Sequence, residues 1–492
     1  MTELSPDILS KYEMVIGLEV HCQLQTQTKI FATDTNQFGA EPNTNVSVLT
    51  LAHPGTLPKL NKKAVEYAIR MGLACGCDIT RHTIFDRKNY FYPDLPKGFQ
   101  TSQDKFPICV GGGVAVKFKD KNGQTCERTV KVHHIHLEED AGKSVHDGAA
   151  TDTLLDYNRA GTPLIEMVSD PDLHSAEETG AYLTEVRRLV RYLDICDGNM
   201  EEGSLRCDLN ISVRLHGAKQ LGVKVEVKNM NSIRNVMRAV EVEFRRQVEM
   251  VENNETILME TRSYDPETNQ TQGMRLKETM NDYRYFPEPD LAPVVISDEW
   301  LARIENEMPP LPRQLFDKFT NEYGLSNNHA AVLTDSKDVA LYFEQLGQAV
   351  GNYQAAANWT IGPVKTYLNE NNDLTANQFP VSIQTLANLI QLVEQNKVSN
   401  STATQKILPL LLQDSTQSPL ELAQQNNWLQ NSDAGALEQI IDQVLAAMPD
   451  KVKEYQKGKK GLMGLFVGEI MKQSKGSADP KMVNQLLAQK LG

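Results

Sequence analysis

Between Met14 and Leu24 the chain alternates: Met14, Ile16, Leu18, Val20, Cys22 and Leu24 are apolar or sulfur-bearing, while Glu19, His21 and Gln23 fall between them. Residues two apart in an extended strand share a face. The stretch therefore predicts a strand with one buried side and one side that sets a carboxylate beside an imidazole. Such a face is either half of a metal or acid–base site or the solvated side of an ordinary antiparallel sheet. The same split recurs over Ser204–Arg214, where Leu205, Cys207, Leu209, Ile211 and Val213 alternate with Arg206, Asp208, Asn210 and Ser212. In Val223–Lys228 it puts Glu226 between Lys224 and Lys228. Further strands are expected at Val114–Lys119 and Lys131–Leu137, and helices at Ala64–Cys75 and Ala176–Leu193.

Pro287, Pro289 and Pro293 then punctuate the chain, and proline suits neither a continuing helix nor a central strand. Beyond Asp298 the spacing becomes helical, as over Ala340–Val350, Ile383–Leu392 and Leu437–Met448, with breaks at Asn396–Thr404 and Asp414–Pro419. Near the end, Leu462, Leu465, Phe466, Glu469 and Ile470 keep helical spacing, Lys475-Gly476 stops that helix, and Ser477-Ala-Asp479-Pro480 starts a last one. The expected class is α+β. A mixed or antiparallel sheet cradle over residues 1–293 precedes two all-helical domains, 294–410 and a basic tail at 411–492.

Composition narrows the picture without naming a reaction. A chain of 492 residues exceeds one hydrophobic core, and 40% apolar with 23% charged residues is ordinary for a globular protein. The net charge of −14 argues against generic nucleic-acid binding. From Lys451 to Gly492, however, nine lysines meet three acids, a local excess of six positive charges that leaves −20 for the rest. Polyanion contact should concentrate there or on a local patch; a lysine-rich solvated bundle is the plain alternative. Seven scattered cysteines point to a reduced compartment. The absence of a signal-like start or a membrane-length apolar run points to a cytoplasmic protein with no membrane association.

Candidate chemistry lies on the polar strand faces. To Glu19, His21, Asp208 and Glu226 the chain adds Glu138-Glu139-Asp140, after the histidine-rich His133, His134 and His136, and Glu166 within Pro163-Leu-Ile-Glu166. Several carboxylates, a histidine and interleaved Arg and Lys suit phosphoryl chemistry: magnesium takes hard oxygen ligands, and cations neutralise developing charge. Other signals are weaker. Gly142-Lys143-Ser144 lacks the earlier glycine of a phosphate loop, since Leu137 stands there. Gly111-Gly-Gly113 reads as a turn. Cys75/Cys77 and the His133/His134/His136 run lack a matching second pair, which speaks against metal binding by either.

Longer motifs carry a family resemblance. The stretch Asp156-Tyr-Asn-Arg-Ala-Gly-Thr-Pro-Leu-Ile-Glu-Met-Val-Ser-Asp-Pro-Asp-Leu173 resembles the signature of the B chain of the aspartyl/glutamyl-tRNA amidotransferases, the GatB family. Similar in order are Ile16–His21, His53–Pro58, Phe85–Gly98, His136–Lys143, Asp197–Asp208, Glu226–Ser232 and Asp282–Leu291. The tail around Gly461–Leu491 is similar to that family's C-terminal helical domain.

The resemblance implies an ATP- and Mg2+-dependent ligase. It would phosphorylate the side chain of mischarged Glu-tRNA(Gln) or Asp-tRNA(Asn), then let ammonia displace phosphate. It implies metal ligands at Glu19, His21, Glu138, Glu139 and Glu166, with Asp208 and Glu226 beside the nucleotide. Arg159, Lys143, Arg206 and Lys88 become candidates for phosphate or transition-state contacts; Arg159 is equally suited to clamping its own loop. No amidase-like Gly/Ser segment appears, so ammonia should come from an amidase-type glutaminase partner (GatA), joined by a small third partner (GatC) in a heterotrimer. Tail lysines would position tRNA by its phosphates. Two alternatives stay open: a non-catalytic scaffold presenting tRNA, and a metal-dependent phosphoesterase using the same carboxylates.

Overall fold

The computed structural model describes residues 4–145, 152–276, 283–371, 373–430, 434–474, 478 and 480–492. It divides into two compact units, Met1–Leu311 and Pro312–Gly492. Asp282, Lys475–Ser477 and Asp479, which belong to motifs above, lie outside the described residues.

The first unit is built on a mixed ten-stranded sheet. In chain order its relevant elements are β1 (Tyr12–Gln23), α1 (Lys62–Ala74), β2 (Asp86–Asn89), β3 (Phe99–Ser102), β4 (Gly113–Lys119), β5 (Thr125–Glu139), β6 (Pro163–Ser169), α2 (Ala176–Tyr192), β7 (Leu205–Leu215), β8 (Val225–Lys228), α3 (Ile233–Glu252), β9 (Glu260–Asp265) and β10 (Gln270–Leu276). The sheet runs β10-β9-β8-β7-β1-β6-β5, with β4 hairpinned onto β5, and β2 and β3 form a separate small sheet. Neighbours on this path are antiparallel except β8 and β9, which are parallel. β1 is thus flanked on both sides, by β6 and by β7.

The expected alternation decides which face of β1 is buried. Met14, Ile16, Leu18, Val20 and Cys22 all enter the main core. Each buried Ile, Leu or Val contributes roughly 1.5–3 kcal/mol relative to exposure. A one-residue slip would turn the carboxylates into that core, so register is strongly specified. The core is closed by α2, through Leu183, Val186 and Val190, and by α3, through Val236, Val240 and Val248. Serine caps start both helices: Ser175 accepts from Glu178 N–H and Ser232 from Asn235 N–H.

α3 is an addition to the elements expected from spacing. Its buried stripe contains Glu243 and Gln247, both fully buried, which dilute the apolar period. Arg246, Gln247 and Thr271 satisfy the Glu243 carboxylate. The break between units also falls later than residue 293. Val294, Ile296, Leu301 and Ile304 belong to the first unit's core, and Trp300 Nε1 donates to Glu66 at 3.1 Å.

The described residues of the second unit are helical apart from their connections. The boundary expected at 410/411 falls inside helix Leu408–Gln413. A separate small core forms later, where helices Ala434–Ala447, Met463–Gln473 and Pro480–Leu491 bring together Ile441, Val444, Phe466, Ile470, Val483 and Leu487. Among the described residues no helix is long and apolar enough to cross a membrane.

Candidate active site

Cross-strand register assembles the site. His21 stands opposite Glu166 on β6 and Arg206 on β7, while Glu19 stands opposite Asp208. Glu166 in turn faces His136 on β5, and Asn210 faces Glu226 on β8. Directly opposed residues have Cβ atoms about 4.5–5.5 Å apart. Two donor clusters result on the polar face: His21, Glu138 and Glu166, and Glu19, Asp208 and Glu226. Within each, one ligand atom per residue lies within 4.8 Å of the others.

The first cluster is supported by histidine. His21 Nε2 lies 3.2 Å from Glu166 Oε2, and His136 Nε2 lies 3.3 Å from Glu138 Oε2 and 3.4 Å from Glu166 Oε2. Ser102 Oγ donates to Glu138 at 3.0 Å. Burial opposes ionisation of Glu166, yet His21 and His136 hold its carboxyl well below the usual range. The second cluster is supported by an ammonium. Lys228 pairs with Asp208 and stands 3.7 Å from Glu226, while Asn210 Nδ2 donates to Glu19 at 2.9 Å and Thr261 Oγ1 to Glu226 at 2.7 Å. Burial, followed by the charges of Glu166, Asp208 and Glu226, pushes Glu19 above the ordinary glutamate value. Crowded, half-desolvated carboxylates of this kind are relieved by a bound cation. Hard oxygens with a single imidazole nitrogen suit Mg2+ or Mn2+.

Both clusters border a cavity of about 1130 Å³, at the upper end of ligand-site volumes. Lys88 lines it, with its ammonium 5.0 Å from the Tyr283 ring centre. Burial works against the Lys88 charge, but Glu138 and its neighbours outweigh that and raise its pKa. Arg206 lines it too; Nη2 donates to Asp140 Oδ2 at 2.8 Å, and Nε is buried with no hydrogen-bond partner. Since more than nine in ten buried polar groups are paired in native proteins, that N–H is a donor left over for an anionic ligand.

Three residues named from the sequence lie outside both clusters. Glu139 is not part of either cluster: next to Glu138 in a strand, it points to the other face. There it pairs with Lys97 and accepts from Thr101 N–H at 2.8 Å, beside a smaller cavity of about 260 Å³. Lys143 lies exposed opposite Asp156 in a two-stranded pair and does not line the large cavity. Arg159 borders the cavity, but its guanidinium donates to the carbonyls of Ala141 at 2.9 Å and Gly142 at 2.6 Å, the geometry of a loop clamp. Conversely His136, discounted for want of a second pair in sequence, touches two of the three first-cluster residues. Its period-two spacing from Glu138 is the signal that points to it. Tyr90 and Tyr283, which line the cavity, carry none beyond their motifs.

An acidic double cluster on an α+β cradle, with Lys88 and Arg206 beside it, has the donor set a hard cation and an anionic ligand would need. Residues 14–302 match the family profile described as the GatB/GatE catalytic domain, and residues 341–491 match that described as the GatB domain. The chain is 48% identical over 485 residues to the B chain of the aspartyl/glutamyl-tRNA(Asn/Gln) amidotransferase of Thermosynechococcus vestitus, covering 98% of this chain and 96% of that protein. It is 46% identical to the protein of that name from Trichodesmium erythraeum, covering 100% of both. Against the one from Trichlorobacter lovleyi the figure is 47%, over 98% and 99%. The chain belongs to the GatB family, the B chains of the tRNA-dependent aspartyl/glutamyl amidotransferases.

Proposed function

We propose that the large cavity is where ATP phosphorylates the side-chain carboxylate of Glu on tRNA(Gln) or Asp on tRNA(Asn), and where ammonia then converts it to the amide. The observation that carries this reading is the pair of acidic clusters facing one cavity, with Lys88 and the unpartnered Arg206 Nε beside them. A carboxylate oxygen attacks the γ-phosphorus, its bond to phosphorus forms, the β–γ bridge breaks and ADP leaves. Ammonia nitrogen then bonds to the acyl carbon, the carbon–oxygen bond breaks, phosphate departs and one N–H proton is released. Activation is needed because an unmodified carboxylate offers ammonia no adequate leaving group.

His21, Glu138 and Glu166, with Glu19, Asp208 and Glu226, would hold magnesium, whose role is to shield phosphate oxygens from the attacking carboxylate. Lys88 and Arg206 neutralise charge on the transferred phosphoryl group. Arg159 fixes the Ala141–Gly142 backbone at the cavity edge. The names of the relatives support tRNA as the carrier, and the lysine excess of residues 451–492 supports phosphate contact there. Ammonia enters from a partner glutaminase, GatA, with the small GatC completing a cytoplasmic heterotrimer.

The test supplies the heterotrimer with ammonium chloride, ATP, Mg2+ and each mischarged tRNA. Amide formation is expected, falling at least about 100-fold in Glu166→Ala with tRNA affinity retained. A wild-type complex that leaves both tRNAs unchanged, or a Glu166→Ala complex as fast as wild type, overturns the reading.

A further inference from the structure

The histidine run on β5 is not a regular stretch of strand. In the ladder with β6, Val168 pairs with His134 and Ser169 with Val132, so His133 is an extra residue in a bulge. Its carbonyl is occupied by Gly111 N–H at 3.0 Å. Adjacent residues of a regular strand point to opposite faces, but a bulge re-aims a side chain. Here it brings His133 onto the side of His134, with Nδ1 to Nδ1 at 2.8 Å. His134 Nε2 then lies 3.1 Å from His136 Nδ1, with the two rings stacked at 19° and 5.2 Å between centres. His136 Nε2 ends the chain between the Glu138 and Glu166 carboxylates.

Every link in this run joins two ring nitrogens or a ring nitrogen and a carboxylate. Ionised carboxylates only accept, so His136 donates from Nε2 and turns Nδ1 toward His134. His134 offers Nε2 to His136 Nδ1 and Nδ1 to His133 Nδ1, one ring nitrogen to each neighbour. The result is an unbranched hydrogen-bonded run from an exposed ring to a buried acidic cluster. Second-sphere partners of this kind orient ligand groups, and their loss typically costs 10–100-fold in metal affinity.

We propose that His134, steadied by the bulged His133, is a positioning residue: it fixes the ring of His136, which holds the Glu138 and Glu166 carboxylates converged for a divalent cation. The inference rests on the reading of His21, Glu138 and Glu166 as a cation centre. It extends that reading to residues remote from the cavity, because His133 and His134 do not line it.

The experiment titrates Mn2+ into the full-length chain by calorimetry, with thermal unfolding of the metal-free protein as control. His134→Phe keeps a flat ring for stacking but removes both ring nitrogens. It should weaken one class of Mn2+ site 10- to 100-fold, while His134→Gln, whose amide can donate to or accept from His136 Nδ1, should recover most of the affinity. His133→Ala, at an exposed position that cannot threaten the fold, should weaken the same class a few-fold. If Glu166→Gln removes a Mn2+ site but His134→Phe and His133→Ala both bind as wild type, the positioning role is overturned and the cation centre stands. If Glu166→Gln leaves the isotherm unchanged, the cation centre itself falls. Should His134→Phe unfold, the His133→Ala isotherm decides alone.

Discussion

Glu138 and Glu139 are neighbours in sequence and strangers in space. Glu138 joins His21, Glu166 and His136 at a large acidic cavity, whereas Glu139 pairs with Lys97 at a smaller one that Lys29 and Arg87 also line. One peptide step in a strand reverses the side-chain direction, and here it moves a carboxylate from a cluster of acids to a direct ammonium partner, Lys97. The first environment asks for an added cation, while the second already holds its own. Two adjacent glutamates therefore have different chemistry although their local sequence is nearly the same.

The largest expected effect separates these two residues. Glu138→Ala should lower amide formation by the complex at least about 100-fold and weaken Mn2+ binding by calorimetry, whereas Glu139→Gln should leave Mn2+ affinity within about threefold. Equal losses of Mn2+ affinity in both would erase the distinction. Glu139→Gln should still cost roughly 1–3 kcal/mol in urea unfolding, because Lys97 loses its partner.

Next comes a contrast within the acidic cavity. Glu166 is held ionised by histidines, and Glu19 is pushed toward protonation by burial and its acidic neighbours. Glu166→Gln should therefore weaken cation binding more than Glu19→Gln does, by about tenfold, when both are titrated with Mn2+ near neutral pH. The reverse order would mean that the second cluster is the stronger centre. Lys228→Met should lower the metal-free unfolding free energy by about 1–3 kcal/mol, since Asp208 and Glu226 lose their ammonium. Saturating Mn2+ should restore that loss.

The smallest effect belongs to the smaller cavity. Lys29 is only 1% exposed, and burial lowers its pKa from the usual lysine value to about 8. Between about pH 8 and the unfolded value near 10.4, the unfolded chain binds a proton that the folded chain has released, so stability rises with pH. Urea midpoints across that window should climb in the wild type and climb less in Lys29→Met. Equal slopes would show that Lys29 is not desolvated.

Period-two alternation makes much of this legible in the residues alone. Glu19, His21, Asp208 and Glu226 share a face because their apolar neighbours must be buried, and β1 and β7 form where the pattern places them. What fails is proximity along the chain used as proximity in space. It groups Glu139 with Glu138, and it gives no hint that His136 meets Glu166 across the β5–β6 ladder. α3 escapes because Glu243 and Gln247 sit in its buried stripe, where tertiary partners rather than apolarity satisfy them. The first boundary escapes because three prolines mark a turn in the chain, while the core they precede continues through Ile304.

The most direct measurement is manganese anomalous scattering from crystals of the full-length chain soaked with Mn2+ and a non-hydrolysable ATP analogue. A peak is expected among His21, Glu138 and Glu166, with analogue density in the cavity beside Lys88 and Arg206. A peak beside Glu139 instead, or a cavity holding analogue with no manganese at either acidic cluster, would contradict that placement.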